Sequence, residues 1–301
     1  MSRRIARVGG EELTLSNLEK DLYPSYGFTK ARVLDYYRRI SAFILPHLRG
    51  RALTLKRYPE GVEQPFFFEK RCPPHRPSFV ATARIPLKRG EELTACLVND
   101  LGTLMWVENL ASLELHVPLA QAASPGTPDS VVFDLDPGEG ADILDCARVA
   151  LMIRDMLRRL RLKSYPKTSG MKGLHVFVPL NRKGTTFEQT RDFSKAVATV
   201  IERDYPDLVT TRIAKTGRRQ KVFINWAQNS STKTMVSVYS LRARESPFVS
   251  FPLTWSELER AAAGRSPARL KVLYSEALRR VKEHGDRFRD VLTRQQTLPR
   301  F

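Results

Sequence analysis

Two aspartates two positions apart are the strongest chemical signal in the sequence. Asp134 and Asp136 close an apolar run at residues 131–135, and a Pro-Gly pair follows them. Because side chains alternate along a strand, both carboxylates point to one face. Two like charges this close need a cation or a shared proton, and oxygen ligands suit Mg²⁺ or Mn²⁺. The pair therefore predicts a site for divalent ions; the alternative is a solvated strand end before a turn.

A small loop with one lysine offers a place for phosphates. Residues 169–175 read Ser-Gly-Met-Lys-Gly-Leu-His and continue into an apolar run. Backbone amides freed by the glycines, the Ser169 hydroxyl and the Lys172 ammonium can together hold a triphosphate, with His175 beside it. A Walker A loop is excluded because its Gly-x-x-x-x-Gly-Lys-Ser/Thr spacing is absent. A structural β-turn remains the alternative.

Clustered cations further along the chain are candidate phosphate contacts. They are Arg212, Lys215, Arg218, Arg219, Lys221, Lys233, Arg242 and Arg244. Arg242 is the stronger candidate for a phosphate contact because it ends a predicted strand. Runs of charge are more often solvated faces, so both interpretations stay open.

Three successive aromatics, Phe66, Phe67 and Phe68, stand in an extended segment. Neighbouring strand residues face opposite sides, so at least one ring is expected to leave the core. An exposed ring can stack on a nucleic-acid base. The alternative is that all three rings fill the two faces of a buried strand.

The elements that must position these residues follow from apolar periodicity. Helical spacing predicts helices at residues 29–48, 142–162, 187–203 and 256–289, and around Trp106. A capping pattern predicts one more short helix at residues 16–20, so that two helices open the fold. Period-two and β-rich runs predict strands at residues 53–58, 65–68, 131–135, 174–180, 221–226 and 235–239. Residues 121–130 are the richest in breakers, so we expect one catalytic domain over 1–301 with a subdomain boundary there.

Composition narrows the partners. The 301 residues are 42% hydrophobic, and 50 Lys and Arg against 32 Asp and Glu give a net charge of +18. Such a balance favours a polyanion, with nucleic acid ahead of an anionic membrane. The chain shows no apolar run of about 18 residues and no hydrophobic leader, so we expect a cytoplasmic, nucleoid-associated protein. On charge alone, a basic ribosomal or nucleoid protein is the alternative.

The cysteines predict neither a zinc site nor a disulfide framework. Cys72, Cys96 and Cys146 are odd in number, far apart and without paired ligand spacing. We interpret all three as reduced structural thiols.

Four motifs together resemble the polymerase domain of bacterial ligase D. They are Phe-Asp-Leu-Asp-Pro-Gly, Ser-Gly-Met-Lys-Gly-Leu-His-Val, Val-Phe-Ile-Asn-Trp-Ala-Gln-Asn and Tyr-Ser-Leu-Arg-Ala-Arg. The resemblance extends from about Leu13 to the C-terminus. It implies an α/β (α+β) fold of the archaeo-eukaryotic primase type, with two closely packed subdomains around central β-sheets.

The resemblance also implies roles for individual residues. Two metals would be held by Asp134, Asp136 and the residue at position 225. The incoming nucleotide would meet Ser169, Lys172, His175, His116, Gln228, Arg242, Phe67 and Phe68. The 5′-phosphate of the downstream DNA strand would be bound by Asn17, Lys20 and Lys30.

Position 225 departs from the family pattern. The family usually places a third carboxylate there, and this sequence has Asn225. An amide oxygen can coordinate but carries no negative charge, so the metal that activates the primer 3′-hydroxyl would be held less strongly. An engineered change, a natural variant of reduced activity and a neighbouring acid in the same role are the open explanations.

The resulting prediction is a metal-dependent, DNA-templated nucleotidyltransferase. It would use Mn²⁺ or Mg²⁺ and (ribo)NTPs or dNTPs to extend primer 3′ ends at double-strand breaks or gaps during non-homologous end joining. The resemblance implies Ku and a DNA ligase as partners. The chain lacks the Lys-x-Asp-Gly context of a ligase nucleophile, so sealing is expected to come from elsewhere. The competing hypotheses are a DNA end-bridging module weakened by Asn225 and a metal-dependent nuclease or phosphoesterase.

Overall fold

The computed structural model describes residues 3–87, 90–214 and 216–299. Its strands are β1 (Arg3–Val8), β2 (Glu11–Ser16), β3 (Asp21–Tyr23), β4 (Phe28–Thr29), β5 (Thr54–Arg57), β6 (Phe67–Glu69), β7 (Thr82–Pro86), β8 (Glu92–Cys96), β9 (Ser112–Val117), β10 (Ser130–Pro137), β11 (Tyr165–Thr168), β12 (Leu174–Pro179), β13 (Val209–Thr210), β14 (Val222–Ile224), β15 (Met235–Val236), β16 (Leu241–Arg242) and β17 (Phe248–Val249). Its α-helices are α1 (Lys30–Leu48), α2 (Leu101–Asn109), α3 (Ile143–Arg159), α4 (Phe187–Asp204), α5 (Trp255–Ala263), α6 (Tyr274–His284) and α7 (Asp290–Thr293).

The chain divides into two compact units. Unit 1 consists of Met1–Pro125, Thr234–Val249 and Leu273–Asp286, and unit 2 of Gly126–Lys233, Ser250–Val272 and Arg287–Phe301. The first division falls between Pro125 and Gly126, inside the breaker stretch at 121–130. A single catalytic domain over 1–301 stays a prediction.

Unit 1 is organised around a sheet with the strand order β15-β9-β5-β6. β5 and β6 pair antiparallel, which confirms the hairpin-like pair expected at residues 53–58 and 65–68. The long helix α1 confirms the prediction at 29–48, and its buried stripe includes Val33, Tyr37, Ile40 and Ile44 at helical spacing.

Unit 2 carries a sheet with the strand order β11-β12-β10-β14-β13. Pairing is antiparallel except between β13 and β14. α3 and α4 contribute to the same buried core as β10 and β12, and they confirm the helices expected at 142–162 and 187–203. As a central strand, β10 is buried from Ser130 to Phe133, which explains its continuous apolar run. No helix in the described ranges is both long and apolar enough to cross a bilayer.

Two local predictions at the start and end of the chain were wrong. Residues 16–20 form a turn and not a helix, because Asn17 has a left-handed φ of 52° and the Lys20 carbonyl accepts the Lys30 N–H at 2.8 Å. The β1–β2 hairpin, not a helix pair, therefore opens the fold. The helix expected at 256–289 is divided into α5 and α6, with a 3₁₀ turn at Pro267–Leu270 between them.

The cysteine prediction was wrong for two of the three residues. Cys72 and Cys96 form a disulfide, with their Cα atoms 4.9 Å apart. The Cys72 N–H donates to the Thr94 carbonyl on β8, so the loop after β6 lies along that strand and brings the two thiols together. Cys146 is a buried free thiol, as expected, and burial raises its pKa well above the ordinary value.

Candidate functional site

The end of β10 gathers four of the predicted residues within unit 2. β10 pairs with β12 so that Asp134 lies opposite His175, and with β14 so that Leu135 lies opposite Ile224. Asn225 follows directly, and its N–H donates to the Asp134 carbonyl at 2.8 Å. Asp136, two positions on, is exposed. Strand register alone therefore brings Asp134, Asp136, His175 and Asn225 to one end of the sheet.

The Asp134 carboxylate meets the side chains of His175 and Asn225. His175 Nε2 lies 3.3 Å from Asp134 Oδ1. The Asn225 amide nitrogen donates to Asp134 Oδ2 at 3.0 Å. Thus the amide nitrogen of Asn225, and not its oxygen, faces Asp134. The amide would have to turn over before it could share a cation with that carboxylate.

The predicted phosphate loop is a tight turn held by Ser169. Ser169 Oγ accepts the N–H groups of Met171 at 3.1 Å and Gly173 at 3.2 Å, which leaves its single hydroxyl proton as a donor. The Ser169 N–H in turn donates to the Gly173 carbonyl at 3.0 Å. Lys172 is exposed on this turn. The loop is therefore a compact connection between β11 and β12 that also presents one hydroxyl and one ammonium group.

Gly173 fixes where this turn lies. A Cβ on residue 173 would stand 2.0 Å from the Leu135 carbonyl oxygen and 3.6 Å from the Asp136 Cα. Only glycine allows so close an approach of the loop to β10. The Ser169 turn is thus held directly against the strand of the two aspartates.

A short 3₁₀ turn at Trp226–Gln228 carries Gln228, which is nearly buried and donates its N–H to the Asn225 carbonyl at 3.2 Å. The next residue, Asn229, was not singled out from the sequence. Its amide accepts the Val132 N–H at 2.9 Å and donates to the Val132 carbonyl at 2.8 Å. Asn229 thereby fastens the segment that contains Asn225 and Gln228 to β10.

The donor set at this end of the sheet suits a hard cation that keeps other ligands. Nowhere in the described ranges do three or more His, Cys, Asp or Glu side chains form a metal-binding group. Mg²⁺ is commonly held by one or two carboxylates together with water and substrate phosphates. Asp134 and Asp136 fit that requirement, whereas a cage made of protein ligands alone is not present there.

In unit 1, a buried carboxylate organises two of the other predicted residues. Glu114 on β9 is completely buried, and its oxygens lie 2.9 Å from His116 Nε2, 3.5 Å from Arg242 Nε and 3.4 Å from Lys56 Nζ. The Tyr58 hydroxyl also donates to it at 3.3 Å. His116 and Arg242 were expected from the sequence, whereas Glu114, the group that joins them, was not.

The charges around Glu114 set its protonation and that of His116. Burial alone would raise the pKa of Glu114, but the His116 hydrogen bond, Arg242 and Lys56 outweigh it and hold that pKa at about 2. Burial lowers the pKa of His116, with a further contribution from Arg242. At neutral pH the pair is therefore a carboxylate and a neutral imidazole that donates Nε2–H, not an ion pair.

The three phenylalanines lie beside this cluster. Phe66, Phe67 and Phe68 are 48%, 44% and 56% exposed, so the alternative of three buried rings was wrong. Lys56 Nζ lies 4.1 Å from the Phe66 ring centre, and the Phe68 and His116 rings meet edge to face at 6.1 Å. These contacts pack against part of the Phe66 and Phe68 rings, and the exposed part of the rings is available for stacking.

Asn17, Lys20 and Lys30 come together at the start of α1. The 17–20 turn lies along the helix start, where the Ala31 N–H donates to the Leu18 carbonyl at 2.9 Å. Lys30 Nζ donates to the Ser16 carbonyl at 2.7 Å, and Lys20 Nζ lies 2.6 Å from Glu60. Burial, with help from Lys20 and Arg57, lowers the pKa of Lys30 to about 8. A crowded, partly desolvated pair of ammonium groups favours an anionic ligand.

Two of the cations in the run after β13 make contacts within their own loop. Arg218 donates to the carbonyls of Arg212, Ile213 and Ala214, and its guanidinium lies 3.5 Å from the Phe223 ring centre. Lys221 Nζ donates to the Pro206 carbonyl at 2.6 Å. These two cations thus hold their own loop together. Arg212, Arg219, Lys233 and Arg244 stay candidates, and Lys215 lies outside the described residues.

Known proteins share both the sequence and the fold of this chain. Residues 29–288 match the family model described as the primase-polymerase domain of LigD. The multifunctional non-homologous end joining protein LigD of Mycobacterium bovis is 39% identical over 284 residues, which cover 92% of this chain and 36% of that protein. The bifunctional LigD of Bacillus subtilis is 31% identical and matches 96% of this chain and 45% of its own length. The chain therefore spans less than half of these relatives.

A solved structure agrees with the sequence matches. The polymerase domain of Mycobacterium tuberculosis ligase D in complex with DNA superimposes with a TM-score of 0.86 at 38% identity, covering 94% of this chain and 99% of that one. The expected mixed α/β fold of this type is confirmed. On its sequence, its fold and the extent of both matches, the chain belongs to the LigD primase-polymerase domain family.

Proposed function

We propose that this chain transfers nucleotidyl groups from (ribo)NTPs to a primer 3′ end at DNA breaks or gaps during non-homologous end joining. The observation that carries the proposal is the register of β10, β12 and β14, which places Asp134, Asp136 and His175 beside the Ser169 turn. Membership in the LigD primase-polymerase family supports the same chemistry.

Each group at this end of unit 2 has a part in the proposed reaction. Asp134 and Asp136 would hold one or two Mg²⁺ or Mn²⁺ ions, which when bound lower the pKa of the 3′-hydroxyl and offset charge on the triphosphate. Ser169 would donate its hydroxyl proton to a phosphate oxygen, and Lys172 would add a positive charge. His175 would keep Asp134 oriented and stand beside the triphosphate. Gln228 would line the rim of the site.

The unit 1 residues would bind the rest of the substrate. Phe67 and Phe68 would stack on bases, since their rings are exposed. His116 and Arg242, both held by Glu114, would contact the nucleotide. Asn17, Lys20 and Lys30 would bind the 5′-phosphate of the downstream strand. DNA ends bearing a 5′-phosphate are thus the proposed substrate, as the DNA-bound mycobacterial domain also supports.

Extension of a gapped, 5′-phosphorylated duplex tests the proposal. The parent protein should add nucleotides in Mn²⁺ and release pyrophosphate, and Asp134→Ala should reduce the rate roughly 100-fold or more, because metal ions contribute several kcal/mol at such sites. DNA affinity of the variant should be equal or higher, since an acid near phosphates is removed. Extension by Asp134→Ala at the parent rate would refute the metal assignment.

One observation favours a second candidate, a DNA end-bridging module with weakened catalysis. The Asn225 amide already satisfies Asp134 through a hydrogen bond, so this site lacks the third charge that would demand a cation. Single-turnover extension in Mn²⁺ separates the two candidates. A parent that binds NTP and the 5′-phosphorylated gap tightly but adds no nucleotide is the bridging module.

Ku and a DNA ligase complete the proposal as partners. The names of the relatives link them to end joining, and extension leaves a nick that another active site must seal. A cytoplasmic, nucleoid-associated location fits the net charge of +18.

A further inference from the structure

The end of the unit 2 sheet away from the aspartates carries a separate group of charged side chains. Ser130, the first residue of β10, lies opposite Pro179, the last residue of β12. Asp136 is six positions further along β10, which is about 20 Å at the rise of an extended strand. α3 leaves β10 after the aspartates and leads back to β11, whose first residue, Tyr165, lies opposite Phe177. The last turn of α3 and the segment after β12 therefore share the far end of the sheet.

Six exposed cations stand at this far end. They are Arg158, Arg159, Arg161 and Lys163 before β11, and Arg182 and Lys183 after β12. Gln296 connects the two segments, because its Oε1 accepts the Lys163 N–H at 2.6 Å and its Nε2 donates to the Pro179 carbonyl at 2.9 Å. We call these six residues the far-end surface.

Three acidic residues near the far-end surface, Asp155, Asp192 and Asp290, are engaged by other arginines. Asp290 accepts from Arg294 at 3.0 Å and from the Tyr165 hydroxyl at 2.7 Å. Asp155 and Asp192 pair with their neighbours Arg154 and Arg191. Across the described ranges, no ion pair engages any of the six far-end cations. No ion pair therefore neutralises their charge in the described ranges, and Lys163 takes part only in a minor coulombic attraction to Asp290.

Helix electrostatics explains only part of this cluster. Arg158 and Arg159 lie in the last turn of α3, where a cation interacts favourably with the helix dipole. Arg161 and Lys163 lie beyond the helix, and Arg182 and Lys183 precede α4, whose N-terminus gains nothing from positive charge. Four of the six cations thus have no structural role of this kind.

A cavity adjoins the far-end surface. It has a volume of about 950 Å³, and Arg182, Lys183 and Gln189 line it together with the apolar Phe193, Ala196 and Leu298. A cavity of this size is large enough for a nucleotide unit. The lining thus combines cations and apolar groups, and its one acidic residue, Asp192, is paired with Arg191. Such a lining suits a ligand that combines phosphate with a flat apolar base.

We propose that the far-end surface is a second binding surface for a nucleic-acid backbone, with phosphates on the six cations and a nucleotide unit at the adjoining cavity. This proposal rests on the proposed function only in taking DNA as the nucleic acid. An acidic protein segment would satisfy the charges but would not use the apolar residues that line the cavity beside Arg182 and Lys183.

The test compares two variants that lose the same charge. The far-end variant carries Arg158→Gln, Arg159→Gln, Arg161→Gln and Lys163→Gln. The control carries Arg260→Gln, Arg265→Gln, Arg269→Gln and Lys271→Gln, four exposed cations of the same unit. Both are titrated by fluorescence anisotropy against a closed dumbbell duplex, which has no ends and so does not occupy a 3′-hydroxyl or 5′-phosphate site. Circular dichroism melting checks that both fold.

The far-end variant should bind the dumbbell about tenfold or more weakly than the control. Its plot of log affinity against log salt should also be less steep by two or more, since each lost phosphate contact removes about 0.9 from the slope on duplex DNA. Arg182→Gln combined with Lys183→Gln should weaken binding in the same direction.

Equal losses in the two four-site variants would show that only net charge matters and would overturn the proposal. An unchanged dumbbell affinity with lost binding to poly-glutamate would overturn it in favour of an acidic protein partner. Extension at saturating gapped DNA should stay at the parent rate in the far-end variant. A parent without extension would remove the proposed function but not the dumbbell result.

Discussion

Two acidic side chains, Glu114 in unit 1 and Asp134 in unit 2, have different surroundings. Glu114 is fully buried and surrounded by Lys56 and Arg242 as well as by neutral donors, so its charge is compensated by the fold. Asp134 is half-buried at the end of β10 and meets the amide of Asn225 and the imidazole of His175. A carboxylate enclosed by cations of the fold positions other residues, whereas one that lies beside the exposed Asp136 is placed to take part in binding a cation from outside.

Glu108 on α2 extends this comparison, because its carboxyl group has neither a cationic partner nor a hydrogen bond in the described ranges. It is completely buried, and neither carboxylate oxygen has a hydrogen-bond partner among the described residues. Burial raises its pKa well above the ordinary value, so the folded protein keeps it protonated. The three acids thus form a series from charge-paired to hydrogen-bonded to neutralised by a proton.

Removing the charge of Glu114 should have the largest effect. Glu114→Gln leaves Lys56 and Arg242 half-buried without their counter-charge, and breaking such a pair costs about 3–5 kcal/mol. Urea unfolding measures the loss, and NTP affinity should fall with it because His116 and Arg242 lose their common anchor. Lys56→Met is the matched control, since it removes one cation and should cost less. Equal stability of Glu114→Gln and the parent would contradict the central role of Glu114.

Adding a charge beside Asp134 should have the next largest effect. Asn225→Asp replaces a donor with a second carboxylate and should raise the extension rate in Mg²⁺ by about tenfold, equivalent to about 1.4 kcal/mol of barrier. The gap between the two forms should narrow in Mn²⁺, which binds more tightly and tolerates neutral ligands better. Without metal, the variant should melt earlier than the parent and recover on addition of Mn²⁺. Equal rates in both metals would show that residue 225 is not a ligand position.

The protonated Glu108 predicts a pH-dependent stability. Its pKa is raised on folding, so its contribution is complete below the unfolded value of about 4.5 and declines as the pH rises towards the folded value. Glu108→Gln removes this dependence and should gain melting temperature over the parent, by a few degrees at pH 8.5 and less at pH 5.5. Thermal melts at the two pH values measure the difference. A constant offset between the proteins would mean that Glu108 is ionised in the fold.

Lys30 is a cation whose pKa is shifted by burial, as that of the acid Glu108 is, and its titration should give the smallest of the four effects. Its pKa of about 8 leaves it partly neutral under mildly alkaline conditions. The preference for a 5′-phosphorylated over a 5′-hydroxyl gap should therefore increase severalfold from pH 9 to pH 7, as Lys30 gains its proton. Lys30→Arg, charged throughout, should remove this dependence, and competition binding at each pH measures it. A preference in the parent that does not change with pH would contradict the pocket assignment.

Local patterns made the unit 2 site predictable from the sequence. The Asp134 and Asp136 pair, the Ser169 loop and Asn225 each depend on period-two alternation or a short motif, and strand pairing then assembles them. Glu114 was missed because its importance arises only when β5 places Lys56 directly opposite it. The disulfide was missed for the same reason, since Cys72 and Cys96 are 24 residues apart and meet only through tertiary packing.

The wrong helix prediction at residues 16–20 and the missed Asn229 have a similar cause. Ser16 to Lys20 resemble a helix start, but one turn bond from the Lys20 N–H to the Asn17 carbonyl closes the segment, and the carbonyls of Leu18 and Lys20 accept from the start of α1. Asn229 gave no signal because a buried asparagine that binds a strand looks like any polar residue in a turn. Long-range hydrogen bonds decide both cases, and a single sequence does not display them.

The contact at Gly173 limits how this protein can vary. Any side chain at that position would place its first carbon against the Leu135 carbonyl oxygen, at 2.0 Å. Even alanine, the smallest substitution, would introduce the Cβ atom that collides with this oxygen. A saturation library selected for folding is therefore expected to return glycine alone at position 173. The neighbouring Lys172, whose side chain is exposed, should accept many residues until the selection is changed from folding to nucleotide binding.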